Sequence, residues 1–304
     1  MEIADEDTGL IRNHRVDPAA RIYYENGEKE KRRVRGTKWF FPSGHDTGYW
    51  TRVILSFAHV AGGEYEDEAA VAVRQFLALK DALPDCMGVV YGGALRGTHR
   101  TALGRHGILA INKQHGSVKP VFYEHLKDCR SGHELWCNDG RIAESIPLDD
   151  GTRLLAPVPI TKLEARIGIT KSRWYHLLRI PCRHGDHVHR GQVGITTTPE
   201  DRTLRDIGSG KILKSDTERG FHRAELLQQI PQSTLAHQRV YPFRADSESV
   251  HAQFDQSLWN GRMIAYGVER QKVFVLGFAL SQNATSHQIH RERRAQAQSA
   301  AGSA

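Results

Sequence analysis

The sequence predicts a mixed α/β fold interrupted by a β-rich segment, on three observations. Between residues 36 and 112, apolar runs and a helical period alternate in the order hairpin, helix, strand, helix, strand. From about 117 to 198 the aromatic and β-branched residues fall instead into short pieces divided by turns. After a polar, Gly-containing connector, helical pattern dominates to the end. The implied organisation is a partly irregular segment at 1–34, a first core part at 35–116, a β-rich insertion at 117–198 and closing helices at 199–304.

Each element has a local cause. Residues 1–34 show no clear period and end in mixed charge, so they read as loop with one short element. "GTKWFFPSG" and "YWTRVILSFAHVAG" are aromatic and β-branched runs around a Gly-containing turn, which predicts a hairpin. "EYEDEAAVAVRQFLALKDAL" predicts a helix over 64–83. Acids crowd its first turn, where the helix dipole favours them, and Ala69, Val73, Phe76, Leu77 and Lys80 recur at helical spacing. Pro84 ends it. "CMGVVYGG" (86–93) is apolar without alternation, the pattern of a buried central strand, and "GILAIN" (107–112) is a second; a helix covers "RGTHRTALGRH" between them. Within the insertion, "NDG" at 138–140 is a hairpin turn, because both central residues of the favoured turn need positive φ. The final "AQAQSAAGSA" reads as a frayed tail.

The totals restrict function. The 304 residues carry 25% charged and 39% apolar side chains, an ordinary globular balance. No run of eighteen apolar residues exists, and the acidic start "MEIADEDTGLIRNHR" has no apolar stretch, so neither a membrane span nor a secretory signal is expected and the reading is cytoplasmic. Four cysteines are too few for a disulfide framework in a chain this long. The net charge of +7 is concentrated in "EKEKRRVRGTK", "CRHGDHVHR" and "HQIHRERR". Such patches suit phosphate contacts, since each Lys or Arg on a nucleic-acid backbone releases condensed counterions.

"VYPFRADSESVHAQFD" (240–255) focuses the question. As a helix over 243–259 with Pro242 near its first turn, it places Val250, Phe254 and Leu258 on one apolar stripe. Arg244, Glu248 and Asp255 cluster on the opposite side, with Tyr241 over the same side. Taken alone, this is the wet face of an amphipathic helix, with Arg244 and Glu248 as an i,i+4 pair contributing a few tenths of a kcal/mol.

The spacing Tyr-x2-Arg-x3-Glu (Tyr241, Arg244, Glu248) resembles the signature around the third catalytic acid of DDE-type insertion-sequence transposases. The lysine that completes that signature is absent, Asp255 standing in its place. "VDPAARIY" (16–23) resembles the segment following their first catalytic aspartate, and "SESVHAQFDQSLWNGRMIAYGVERQKVFVLGFALSQNA" resembles their closing helical region. The element order over 36–112 is similar to that of their RNase H-like core. The resemblance covers most of the chain from about residue 16.

It implies a protein that cuts and joins double-stranded DNA at element ends, as an oligomer on DNA, using Mg2+ ions held by three carboxylates. Glu248 would be the third, a catalytic metal ligand, with Arg244 and Tyr241 contacting DNA. The second should follow the strand "MGVVY", but this chain reads "VVYGGALRG" and places Gly92 there. Asp85 lies before that strand, at its other end. For the first, the sequence offers Asp5, Asp7 and, less well placed, Asp17. The implication is an impaired transposase, an N-terminally truncated or degenerate copy; the alternative is a non-catalytic DNA-binding remnant of one.

Two further constellations stand out. Cys129, His133 and Cys137, with Cys182, His184, His187 and His189, supply thiolate and imidazole of the kind that ligates Zn2+. The first trio lacks the CxxC spacing of a zinc knuckle and the groups lie 45 residues apart. They could converge on neighbouring hairpins, but polar loop residues without structural Zn2+ are the plainer expectation. "GGALRG" (92–97) is glycine-rich between strand and helix, yet has neither the Lys-Ser/Thr of a P-loop nor dinucleotide glycine spacing.

Overall fold

The computed structural model describes residues 2–4, 11–13, 17, 19–24, 33–46, 48–61, 67–92, 95–114, 119–126, 129–168, 172–193, 204–205, 211–220, 222–258 and 262–301. The chain forms two compact units, residues 1–75 with 245–304, and residues 76–244. Among the described residues no helix is long and apolar enough to cross a membrane.

In the first unit the N-terminal stretch is more regular than its sequence suggests. Strands β1 (Glu2–Ala4) and β2 (Ile11–Asn13) pair antiparallel, as do β3 (Arg21–Tyr24) and β4 (Arg33–Gly36). Pairing supplies the order that a mixed-charge sequence without a period does not announce. The predicted hairpin is present in two stages. Strand β5 (Lys38–Phe40) pairs with β8 (Ala58–Val60), and further out β6 (Ser43–Gly44) pairs with β7 (Val53–Ile54).

Two helices complete the core of this unit, α5 (Arg244–Ser257) and α6 (Val268–Ala301). Val250 and Phe254 of α5 and Val275, Phe278 and Ala279 of α6 are buried with Trp39, Phe41 and Ile54, and Leu258 packs against them. Phe254 meets Phe41 at 5.2 Å and Phe278 at 5.1 Å between ring centroids, tilted or edge-on as the ring quadrupoles favour. Asn283 on α6 bonds both polar groups of Ile54, its Nδ2 donating to the carbonyl at 2.9 Å and its Oδ1 accepting the N–H at 2.7 Å. The apolar stripe read for α5 is thus the one it buries. The frayed tail is not found: α6 continues to Ala301, carried by helix formers (Ala, Gln, Arg) although its last ten residues are exposed.

Helix α1 (Glu68–Ala82) contains the boundary between the units and buries Val71, Ala72, Val73 and Phe76. Lys80 near its end donates to the Cys86 carbonyl at 2.8 Å, tying down the turn at Pro84. Strand β9 (Gly88–Val90), helix α2 (Gly97–Arg105) and strand β10 (Leu109–Ile111) then form a βαβ unit with β9 and β10 parallel. Contrary to the sequence pattern, β9 is not a buried central strand. Gly88 is exposed, Val89 and Val90 are half-buried, and β10 is its one strand neighbour among the described residues.

The segment 117–198 is β-rich, as its sequence predicts, and belongs to the second unit. Strands β11 (Val121–His125), β12 (Glu134–Asn138), β13 (Arg141–Pro147) and β14 (Arg153–Pro157) form a four-stranded antiparallel meander. Strands β15 (Ile160–Ile167), β16 (Ser172–Ile180) and β17 (His187–Val193) form a three-stranded one. In β16 the alternate residues Ser172, Trp174, His176, Leu178 and Ile180 are buried, the period-2 signature of a half-buried strand. One core joins both sheets: Leu135, Cys137 and Ile142 from the first, Trp174, Leu178, Ile180 and Val193 from the second, with Val158 and Leu227.

The "NDG" turn joins β12 to β13, with Asn138 opposite Arg141 and both Asp139 (φ 48°) and Gly140 (φ 74°) left-handed. A Cβ on Gly140 would overlap the Gln228 side chain, whose backbone N–H donates to the Gly140 carbonyl at 2.8 Å. Gly140→Ala is therefore expected to lower stability by about 1–2 kcal/mol, the cost of a left-handed L-residue. A denaturant midpoint unchanged from the parent would refute this.

After the insertion come the short pair β18 (Leu204–Arg205) and β19 (Ile212–Leu213), then α3 (Asp216–Arg219) and α4 (Leu235–Val240). Ser215 caps α3 through a reciprocal box with Glu218, and Thr234 caps α4 by accepting from the His237 N–H. Arg100 of α2 braces this region from inside. It is buried, and one of its Nη atoms donates to the carbonyls of Glu225 and Leu227, each at 2.9 Å.

Candidate functional site

The signature residues lie where the α4–α5 junction puts them. Tyr241 opens the single turn between those helices. Its ring stacks on His237, with centroids 4.7 Å apart and planes 15° from parallel, and Lys113 Nζ sits 5.0 Å from its centre. Arg244 is the first residue of α5 and half-buried. A Cβ added to Gly92, just past the end of β9, would run into the Arg244 guanidinium. Gly92 therefore adjoins Arg244.

Glu248 is one turn further along α5 and exposed, on the same wet side as Arg244 and Asp255. It belongs to the first unit and Gly92 to the second. Asp246, between them in sequence, is held within its own unit by His45 and by Arg52 Nη2 at 3.2 Å.

Of the candidates for the first carboxylate, Asp5 and Asp7 lie outside the described residues. Asp17 is described and has a structural task. Its Oδ1 accepts from the Ala19 N–H at 2.9 Å. Its Oδ2 accepts from the Gly267 N–H and from Gln271 Nε2, each at 2.7 Å, at the start of α6. A carboxylate at a helix N-terminus is favoured by unpaired N–H groups and by the dipole. Asp17 thus fastens α6.

The described residues do not assemble a Mg2+ centre. Glycine has no ligand atom, Asp17 is bonded elsewhere, and one exposed carboxylate does not hold a strongly hydrated hard cation. Among the described residues one cluster has the composition of a metal site, and it is made of other donors. Cys129, His133, Cys182 and His187 each offer one ligand atom, and all four atoms lie within 4.8 Å of one another.

The insertion's topology brings them together. Cys129 and His133 lie on the connection from β11 to β12, Cys182 on that from β16 to β17, and His187 opens β17. Three of the expected candidates are excluded. Cys137 points into the shared core, where burial pushes its thiol pKa far up, and its Sγ donates to the Arg223 carbonyl at 3.6 Å. His189 Nε2 sits 2.8 Å from a Glu124 carboxylate oxygen. His184 is exposed and accepts from Arg183 Nε at 3.1 Å. The strand period decides between them, because β12 turns Cys137 inward.

The two connections share one construction. In "CRSGH" the Gly132 N–H donates to the Cys129 carbonyl at 3.1 Å and the Ser131 N–H to Cys129 Sγ at 3.4 Å. In "CRHGDH" the Gly185 N–H donates to the Cys182 carbonyl at 3.0 Å and the His184 N–H to Cys182 Sγ at 3.4 Å. Gly132 (φ 65°) and Gly185 (φ 100°) supply the left-handed residue each turn needs. Hydrogen bonding with Ser131 Oγ and the His184 N–H, with His133 and His187 beside the sulfur, holds the Cys182 thiol pKa down, to about 5. The Cys-Arg-x-Gly spelling shared by the two turns is the sequence signal that pairs them, in place of CxxC spacing.

No protein-family model, no curated protein and no solved structure matches this chain.

Proposed function

We propose that this chain is a DDE-type insertion-sequence transposase, built on an RNase H-like core, whose phosphoryl-transfer chemistry is impaired. It acts on duplex DNA at element ends, as an oligomer on that DNA. The observation that carries the reading is the apposition of Gly92 and Arg244. Two positions matched separately to the family's pattern, 152 residues apart in sequence, are neighbours in space. The order of hairpin, α1, β9, α2 and β10 adds to it. Arg244 and Tyr241, flanked by Lys113, form the phosphate-facing part, and Glu248 is the remaining acid.

The impairment follows from the donors. With a glycine in the second place and Asp17 committed to α6, fewer negative charges remain than two divalent ions need. An aspartate at position 92 would bring its Cβ within 2.4 Å of Arg244 Nε, so restoring it requires the Arg244 side chain to move aside.

The test uses the full chain and duplex DNA carrying the sequences that flank its gene. Binding is expected to weaken steeply with added salt, as phosphate contacts require. Strand cleavage with Mg2+ or Mn2+ is expected to be undetectable, and Gly92→Asp to raise it. Vigorous cleavage by the unaltered chain would refute the impairment, and salt-insensitive or absent binding would refute action on DNA. The engagement of Asp17 favours a second reading, a non-catalytic DNA-binding remnant. DNA binding by a Gly92→Asp variant that stays inert selects it.

A further inference from the structure

The geometry points to a structural Zn2+ site formed by Cys129, His133, Cys182 and His187, which clamps the two sheets of the insertion together at one end. The inference is independent of what the protein does to DNA.

The donor set and its spacing carry the argument. The two sulfurs are 3.5 Å apart, far longer than the roughly 2.05 Å of a disulfide. A tetrahedral ion with Zn–S bonds of about 2.3 Å would hold them about 3.8 Å apart, a small adjustment. The remaining corners belong to imidazoles. Nε2 of His133 and Nε2 of His187 are buried, and both imidazoles lie against the Cys182 sulfur. His133 as a whole is only 6% exposed.

The surroundings are those of a ligand shell. Nδ1 of His133 is bonded to the Glu144 carboxylate, which fixes the tautomer that leaves Nε2 free to ligate. Each sulfur accepts a backbone N–H from its own turn, which spreads thiolate charge. Two thiolates and two neutral imidazoles balance a divalent cation. Soft sulfur disfavours Mg2+ and Ca2+, and tetrahedral S2N2 coordination suits Zn2+. The clamp also leaves Arg130 and Arg183 exposed at equivalent positions of the two turns.

The experiment measures metal in the full chain purified under reducing conditions without chelator. About one Zn2+ per chain is expected, as is the visible spectrum of tetrahedral thiolate-bound Co2+ after exchange. Cys129→Ser with Cys182→Ser should lower the metal content at least tenfold, whereas Cys86→Ser, outside the cluster, should leave it unchanged. Glu144→Gln should keep the fold and weaken Zn2+ about 10-fold in competition with a chromogenic chelator. Should the double variant not fold, chelation of the parent chain decides instead, since it should expose two extra reactive thiols. A parent chain that holds no zinc, or that keeps it without both cysteines, overturns the assignment. So does a Cys129–Cys182 disulfide in place of the ion.

Discussion

Replacing Asp216 with alanine is expected to remove about 3–5 kcal/mol of stability, the largest loss from any single substitution considered in this chain. Asp216 is fully buried at the first position of α3, and Arg223 is 2% exposed. Their Nη2–Oδ2 distance is 2.8 Å, and the other Arg223 Nη donates to the Tyr123 carbonyl at 3.0 Å. The pair is not itself a large source of stability, because desolvating two ions offsets most of their attraction. Removing Asp216 takes a carboxylate away from a guanidinium that water cannot reach, and that is the cost.

A double variant makes the prediction specific. Asp216→Leu with Arg223→Met removes both charges and should recover most of the loss. A residue of about 1 kcal/mol remains for the Tyr123 carbonyl, which loses its donor. Denaturant titration followed by tryptophan fluorescence measures both. A single variant within about 1 kcal/mol of the parent would show that the Arg223 charge is solvated or paired in some other way.

The second large effect is on acid stability. His176 is fully buried on β16, its Nε2 3.2 Å from the Gln229 carbonyl, which accepts its proton. Burial above all, and Arg141 to a lesser extent, depress its pKa from 6.5 to about 4. The unfolded chain protonates this imidazole near 6.5 while the folded chain does not until about 4. The contribution is therefore complete above pH 6.5 and lost as pH falls toward 4. The whole interval corresponds to roughly 3 kcal/mol.

Burial also depresses His59, His237 and His251, in the same direction. The share of His176 is isolated by His176→Gln, which keeps an N–H for the Gln229 carbonyl and does not titrate. Unfolding free energies measured from pH 7 to 4 should fall less steeply in this variant than in the parent. Parallel curves for the two would mean that His176 does not reside neutral in the core.

Local chemistry determined much of this molecule before any fold was known. The acid-rich start and Pro stop of α1, the α5 stripe of Val250 and Phe254, the turn at Asp139–Gly140 and the β-rich character of 117–198 all follow from short-range rules. Backbone dihedrals and apolar period act within a few residues, so a sequence displays them directly. The pairing of residues 2–36 and the half-exposed state of β9 depend on which strands are available as neighbours, and no local pattern records that.

The same division separates the two candidate sites. The sequence could align Tyr241, Arg244 and Glu248 on one helix side and could show a glycine at position 92, because each observation is local. Only the tertiary structure set Gly92 against Arg244, gave Asp17 to the α6 N-terminus and turned Cys137 into the core. It also selected His187 over His184 and His189 to meet Cys129, His133 and Cys182. Convergence of groups more than fifty residues apart is decided by sheet register and packing, where a one-residue shift reverses the side a donor faces.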